Sequence, residues 1–206
     1  KTAAAHRAAL LTPVAKAFST DASIEVASLG VQVHGGMGFV EETGAAQHLR
    51  DARILPIYEG TNGIQAIDLV FRKLPLEGGA VVKAYIGELA EIAKQAAQSN
   101  RAELGKMGER LGAAVKALQT ATLAIGEALQ TKPDAALAVA TPYLRLFGLT
   151  AGGAYLAKGA LAVGAASHRV TVARYFAEAL LTEAPALAVT VSGAAECVLA
   201  DEQVFA

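Results

Sequence analysis

Apolar positions recur every three to four residues along nearly the whole chain, and almost nowhere do they alternate as a half-buried strand requires. Residues 3–18 read as a first helix. In "STDAS", Asp21 is a good N-cap for a second helix running to about Val33. "HGGMGF" ends that helix, because Gly35, Gly36 and Gly38 disfavour its continuation and can take φ > 0. Thr43 is expected to cap a short helix through Arg53. Pro56 then breaks the chain, and Thr61 caps a helix with Ile64, Ile67, Phe71 and Leu74 on one face. "LPLEGG", residues 74–79, joins Pro75 to Gly78 and Gly79 and is the best linker candidate.

Beyond it, Val82, Tyr85, Leu89, Ile92 and Ala96 mark a helix over about 79–99, with Glu88, Glu91, Lys94 and Gln95 on its wet side. Leu104, Met107, Leu111, Val115, Leu118, Thr122, Ile125 and Leu129 step by threes and fours, a heptad-like stripe. It predicts a long helix lying nearly parallel to its neighbours in an antiparallel bundle. "TKPD" ends it, with Pro133 and Asp134 opening the next. Helices over 134–167 and 169–182 follow, Pro142 kinking or dividing the first, and Pro185 introduces a terminal helix. The least polar stretch, 134–166, is interrupted by Arg145 and Lys158, which leaves "LFGLTAGGAYLA" at 12 residues. A bilayer span needs roughly 20, so this is a buried helix. Its Gly148, Gly152, Gly153, Gly159 and Gly164 suit close approach of neighbouring helices. The chain is expected to be all-α.

Composition narrows the function classes. The 206 residues are 53% hydrophobic with a net charge of −1, enough to bury a full core in one or two domains of a soluble globular protein. Lys and Arg are scattered singly, so no basic stripe invites nucleic acid. Lone Cys197 excludes an internal disulfide framework and suits a reducing compartment. No secretory signal is visible, and the start at Lys rather than Met suggests a piece of a longer chain. His6, His34, His48 and His168 form no ligand set for a metal, and no phosphate loop, nucleophile elbow or C-x-x-C is present.

Two stretches remain as candidates for chemistry. "VHGGMGF" follows a helix, not a strand, which rules out a dinucleotide fingerprint in its usual context. A helix C-cap is its plain reading, yet paired glycines also let backbone amides approach a pyrophosphate closely. "YEGTNG" places Glu59 between Tyr58 and a permissive Gly60. An acid before a helix is stabilised by the dipole by about 0.3–1 kcal/mol. A carboxylate on a turn held by rigid helices, with apolar neighbours that make it more basic, is equally well placed to abstract a proton. In "HLRDARI", Arg50, Asp51 and Arg53 fall within one helical turn and are read as structural ion pairs.

The span "VQVHGGMGFVEETGAAQHLRDARILPIYEGTNGIQAIDLVFRKL", residues 31–74, resembles the C-terminal part of the acyl-CoA dehydrogenase family. The spacing from Q-x-x-G-G-x-G-F through R-D-A-R-I to Y-E-G-T-x-x-I-Q carries the resemblance. It implies that Glu59 is the catalytic base, that Gly60 lines the acyl thioester site, and that Thr61, Asn62 and Gly63 touch FAD. Gly63 departs from the polar residue many members carry there. The Q-x-x-G-G segment, Gln32, Val33, His34, Gly35 and Gly36, is implied to contact the FAD of a neighbouring subunit. "YLRLFGLTAGGAYLAKGALA" and "ARYFAEALL" further resemble the extra helical module of one branch, similar to the methylthiopropanoyl-CoA and longer-chain acyl-CoA dehydrogenases.

The resemblance implies an antiparallel helical bundle of the family's C-terminal type at residues 1–76, followed by a second helical bundle module at 77–206. It further implies α,β-dehydrogenation of an acyl-CoA to a 2-enoyl-CoA, with electrons leaving to an electron-transferring flavoprotein. A homo-oligomer, dimer or tetramer, is implied, in a bacterial cytoplasm or a mitochondrial matrix. Family members also carry an N-terminal helical domain and a middle β domain, and this sequence holds no comparable strand-rich segment. The alternatives are a helical oligomerisation or interaction module without activity, and an acyl-CoA oxidase.

Overall fold

The computed structural model describes residues 2–200, and among them helices follow one another with no strand. The chain is all-α, as the periodicity predicts; residues 1 and 201–206, the outer ends of the two expected units, lie outside the described residues. Helix α1 spans Ala3–His34 without interruption, so the expected second start at Asp21 does not exist. The hydroxyls on either side of Asp21 bond back onto the helix. Thr20 Oγ1 donates to the Lys16 carbonyl at 2.8 Å and Ser23 Oγ to that of Thr20 at 2.7 Å. Asp21 instead accepts a bond from Asn62, far along the chain.

Gly35 ends α1 at φ 59, its N–H donating to the Gln32 carbonyl. A single turn, α2 (Gly36–Phe39), and a 3₁₀ turn at Glu41–Thr43 lead to α3 (Ala45–Ala52). Gly44, at φ 75, is its N-cap, and the expected cap Thr43 sits one residue earlier, its hydroxyl donating to the Met37 carbonyl at 2.8 Å. Helix α4 (Asn62–Asp68) is capped by Thr61 as expected, Oγ1 accepting from Ile64 N at 3.3 Å, and continues through a π-turn at Leu69–Lys73. The expected apolar face is corrected in part: Leu74 is buried as expected, but Ile64 and Phe71 are more than half exposed and Ile67 is exposed too, whereas Ala66, Leu69 and Val70 are buried. This helix carries two apolar stripes, and the one of smaller residues packs inward.

Residues 75–79 form a tight turn with Glu77, Gly78 and Gly79 all at positive φ. After it come α5 (Ala80–Gln98), α6 (Met107–Thr131), α7 (Pro133–Ala138) and α8 (Ala140–Leu161). Pro142 divides the expected long helix: it has no N–H for the Ala138 carbonyl, and helix α7 stops there. Then α9 (His168–Tyr175), a further π-turn at Phe176–Leu180, α10 (Ala184–Gly193) with Pro185 in its first turn, and α11 (Ala195–Leu199) complete the fold. The single helix expected over 169–182 thus changes to π geometry after Tyr175.

Helix directions follow from which residues meet. A methyl at Gly108, early in α6, would collide with Ala97, late in α5, so these two run antiparallel. Arg7 reaches Tyr155 while Gly148 lies on Phe18, so α1 runs antiparallel to α8. Tyr85 stacks on Phe147 at 5.6 Å between centroids, and Phe147 meets Tyr143 edge-on at 6.1 Å. Helix α8 is apolar nearly all round and is accordingly the buried centre. Buried Tyr143 shares a 2.8 Å bond with Thr122, and burial pushes its hydroxyl pKa well above the ordinary range. Of the glycines expected to serve close approach, Gly148 and Gly153 pack against Phe18 and Leu181 with no room for a methyl and Gly152 faces Phe176 with ordinary clearance, whereas Gly159, in α8, and Gly164, beyond its end, have nothing near them and do not serve close approach. One contiguous apolar cluster runs from Leu10 and Val14 of α1 to Val191 of α10.

Candidate functional site

The Glu59 turn is built between α3 and α4 by bonds that leave little freedom. Ile57 N and Tyr58 N both donate to the Ile54 carbonyl, at 3.0 and 3.1 Å, and Asn62 N donates to the Pro56 carbonyl at 3.0 Å, closing the loop. Pro56 itself is buried. Within the closed loop Glu59 (φ 55) and Gly60 (φ 82) both adopt left-handed conformations. For glycine this is free; for a glutamate it costs on the order of 1–3 kcal/mol and persists only when surrounding bonds impose it. Gln65 Nε2 donates to the Glu59 carbonyl at 3.1 Å, and Lys16 Nζ, from α1, donates to the Gly60 carbonyl at 2.8 Å. The Glu59 carboxylate makes no ion pair or hydrogen bond among the described residues and stands exposed beside half-exposed Ile57 and Tyr58.

Thr61 uses its hydroxyl to cap α4. The Asn62 side chain faces α1: its Nδ2 donates to Ala17 O, Thr20 Oγ1 and Asp21 Oδ1 at 3.1, 2.9 and 2.7 Å, and its Oδ1 accepts from Lys16 Nζ at 2.8 Å. Gly63 lies exposed in the first turn of α4.

The second candidate segment, Gln32–Gly36, lies at the far end of α1. It is separated from Asp21, where the Glu59 turn is tied down, by eleven residues, about 16 Å of helix rise. The structure therefore forms two stations on one helix and does not bring them together. Gln32, Val33, His34, Gly35 and Gly36 are all exposed. His34 Nδ1 pairs with the Gly30 carbonyl at 2.8 Å. Nothing lies within 4 Å of where a Cβ would sit on Gly35 or Gly36, so an incoming group meets bare backbone there. That is the surface a pyrophosphate or flavin edge needs, so the residues present fit the group.

Sequence reasoning missed the anchors. Lys16 and Thr20 fall four residues apart on one face of α1, with Asp21 beside them, and none has a local partner of opposite kind. That cluster was the available signal. The ion pairs at "HLRDARI" also form differently from expectation: Arg50 binds Glu41 through two bonds of 3.0 and 2.8 Å, tying the 3₁₀ turn to α3, and does not pair with Asp51. Far from both stations, Arg7 donates to Glu88 Oε1 at 2.7 Å and to Tyr155 at 3.1 Å, and lies 5.1 Å from the Tyr85 ring centre. This network joins α1 to α5 and α8. No helix among the described residues is long and apolar enough to cross a membrane, and no three potential ligands among them gather to hold a metal.

Residues 1–74 match the family model described as acyl-CoA dehydrogenase, C-terminal domain, and residues 86–201 match the model described as acetyl-CoA dehydrogenase C-terminal like. The chain is similar to 3-methylmercaptopropionyl-CoA dehydrogenase of Ruegeria pomeroyi, with 39% identity over 87% of this chain and 32% of that protein. It is 34% identical to a butyryl-CoA dehydrogenase of Syntrophomonas wolfei over 49% of this chain and 17% of the relative. It is 33% identical to the broad-specificity linear acyl-CoA dehydrogenase of Mycobacterium tuberculosis over 45% of this chain and 15% of the relative. The chain thus spans about a third, or less, of the length of these relatives. From the two model matches and these relatives, the chain belongs to the acyl-CoA dehydrogenase family, as its C-terminal portion.

Proposed function

We propose that this chain supplies the base for α,β-dehydrogenation of an acyl-CoA, Glu59 being that base. The observation that carries the reading is the backbone of Glu59, a glutamate at φ 55 in a turn held by five bonds, with its carboxylate left without a partner among the described residues. A carboxylate held this way can take a proton from the α-carbon of a thioester, which the adjoining carbonyl makes acidic. Gly60, without a side chain, leaves room for the thioester alongside. FAD, when bound, supplies acceptance of the hydride that leaves the β-carbon. Gln32–Gly36 would hold one flavin and Thr61–Gly63 another, the 16 Å separation along α1 supporting assignment to two subunits.

Exposed Val33, Phe39, Ile64 and Phe71 surround these stations. Such a patch supports cover by the flavin- and acyl-binding portion that relatives of greater length have room for, and by a second copy in a dimer or tetramer. Electrons then pass to an electron-transferring flavoprotein. Residues 1–76 are the end of the catalytic helical domain and 77–206 an added module; the two family models, meeting between residues 74 and 86, support that division. A bacterial cytoplasm or a mitochondrial matrix suits such an enzyme. The experiment is anaerobic addition of acyl-CoA to the full-length protein. Bleaching of its flavin absorbance is expected, with no oxygen consumption under air. Absence of flavin would favour the interaction module, and rapid oxygen uptake the oxidase.

A further inference from the structure

Resting on that reading of Glu59, we propose that Lys16 and Asn62 are positioning residues that set the direction of the Glu59 carboxylate, with Thr20 and Asp21 as their supports on α1. The Lys16 ammonium bridges two points on either side of Thr61: the Gly60 carbonyl and Asn62 Oδ1, each at 2.8 Å. Asn62 in turn lays its amide hydrogens on Ala17 O, Thr20 Oγ1 and Asp21 Oδ1, while its own N–H closes the loop onto the Pro56 carbonyl. Lys16 and Thr20 are separated by one helical turn, as are Ala17 and Asp21, so a rigid stretch of α1 presents all four groups to the loop together.

What this clamp fixes is the backbone on the C-terminal side of Glu59. Glu59 and Gly60 take left-handed φ of 55 and 82, a pair of conformations that a free loop containing glutamate leaves for extended or right-handed ones. Releasing the Gly60 carbonyl lets Glu59 relax, and its Cα–Cβ bond then points elsewhere. Proton transfer from carbon is sensitive to such a change, since a displacement of about 1 Å at a reacting group costs on the order of 100-fold in rate. Acyl-CoA binding, to which this loop contributes only the space beside Gly60, is far less so.

The test uses the full-length flavoprotein and an α-deuterated acyl-CoA whose β-carbon carries no hydrogen, so that proton transfer is read as loss of deuterium to water without oxidation. Lys16→Met and Asn62→Ala are expected to slow deuterium loss by ~10- to 100-fold, with acyl-CoA affinity unchanged in both and flavin content unchanged in Lys16→Met, which lies outside the flavin-binding segments. Amide hydrogen exchange over residues 55–65 should rise in both variants. Asn62→Asp sets a carboxylate against Asp21 and should be slow as well; adding Asp21→Asn reverses the donor and acceptor and should restore much of the rate. Wild-type deuterium loss in Lys16→Met and Asn62→Ala, beside its disappearance in Glu59→Gln, would overturn the positioning role and leave the base in place. Wild-type loss in Glu59→Gln would overturn the base and the positioning role together.

Discussion

Residues 80–193 and residues 22–71 draw on similarly apolar sequence and point it in opposite directions. In the former, Leu111, Leu118, Ile125, Leu146 and Phe147 are shut from solvent and the helices cover one another, leaving only scattered exposed apolar side chains such as Leu123, Tyr175 and Val189. In the latter, Val26, Leu29, Val33, Phe39, Ile64 and Phe71 face outward. The difference is not one of hydrophobicity but of partner. The later region closes on itself around α8, and the earlier one touches that bundle with one stripe and leaves the other open. Every residue of the two candidate stations, Gln32–Gly36 and Glu59–Gly63, lies in the open region. Exposed large apolar side chains near both stations are what the proposed cover by further polypeptide, cofactor and acyl chain requires.

Substitutions should separate the two regions. Phe147→Ala removes a ring stacked on Tyr85 and edge-on to Tyr143 at the centre of the self-closing region, and should cost about 3–5 kcal/mol, measured by chemical denaturation of the 206-residue chain. Gly108→Ala drives a methyl into the Ala97 backbone where α5 and α6 touch. The propensity gain of up to about 1 kcal/mol for Ala over Gly is outweighed by overpacking, typically 1–3 kcal/mol, and a lowered melting temperature is expected. Phe71→Ser, in the open region, should leave the stability of the chain within about 0.5 kcal/mol. The same change should weaken subunit association of the full-length protein in sedimentation. A large loss of chain stability from Phe71→Ser would mean the open face is closed in a way this comparison denies.

The smallest effect concerns acid. The Lys106 N–H, at 3.0 Å, and Arg174 hold the Glu178 carboxyl below its ordinary pKa, and Arg101 does the same for Glu103. A folded-state pKa below the unfolded one means stability that is present above the unfolded value, about 4.3, and lost as pH falls through the lower folded value. Glu103 is half-buried and Glu178 exposed, so solvent reaches both and the slope is shallow. Glu178→Gln should flatten the loss of thermal stability below about pH 4, and an unchanged acid profile would count against it.

Much of the self-closing region was legible in the sequence because burial on one face writes a period. The Leu104-to-Leu129 stripe, the Pro133 start and the absence of a membrane-length segment all follow from that rule. The rule fails where a helix has two apolar stripes. In α4 and the turn that continues it, Ile64, Ile67, Phe71 and Leu74 were expected inside; Leu74 is, but Ala66, Leu69 and Val70 are buried in place of the other three, because the pattern states that a face is apolar without stating what covers it. Likewise Asp21 read as a cap from local sequence, since its actual partner, Asn62, is more than forty residues away. Glu59 and the glycine pair were visible as candidates from residue type and from family spacing. Their relation to Lys16 was not, because a hydrogen bond across two helices leaves no period.

The decisive measurement is rapid mixing of acyl-CoA with the full-length flavoprotein carrying Glu59→Gln. Glutamine keeps the shape and most of the bonding capacity and removes the basic carboxylate. With the side chain exposed and outside the core, melting should change by no more than about 1 kcal/mol. Acyl-CoA should still bind and perturb the flavin spectrum, while the rate of flavin bleaching falls by about 10²–10⁴ or more. Bleaching within roughly tenfold of the wild-type rate, a change of only about 1.4 kcal/mol in the barrier, would show that the proton is taken by another group.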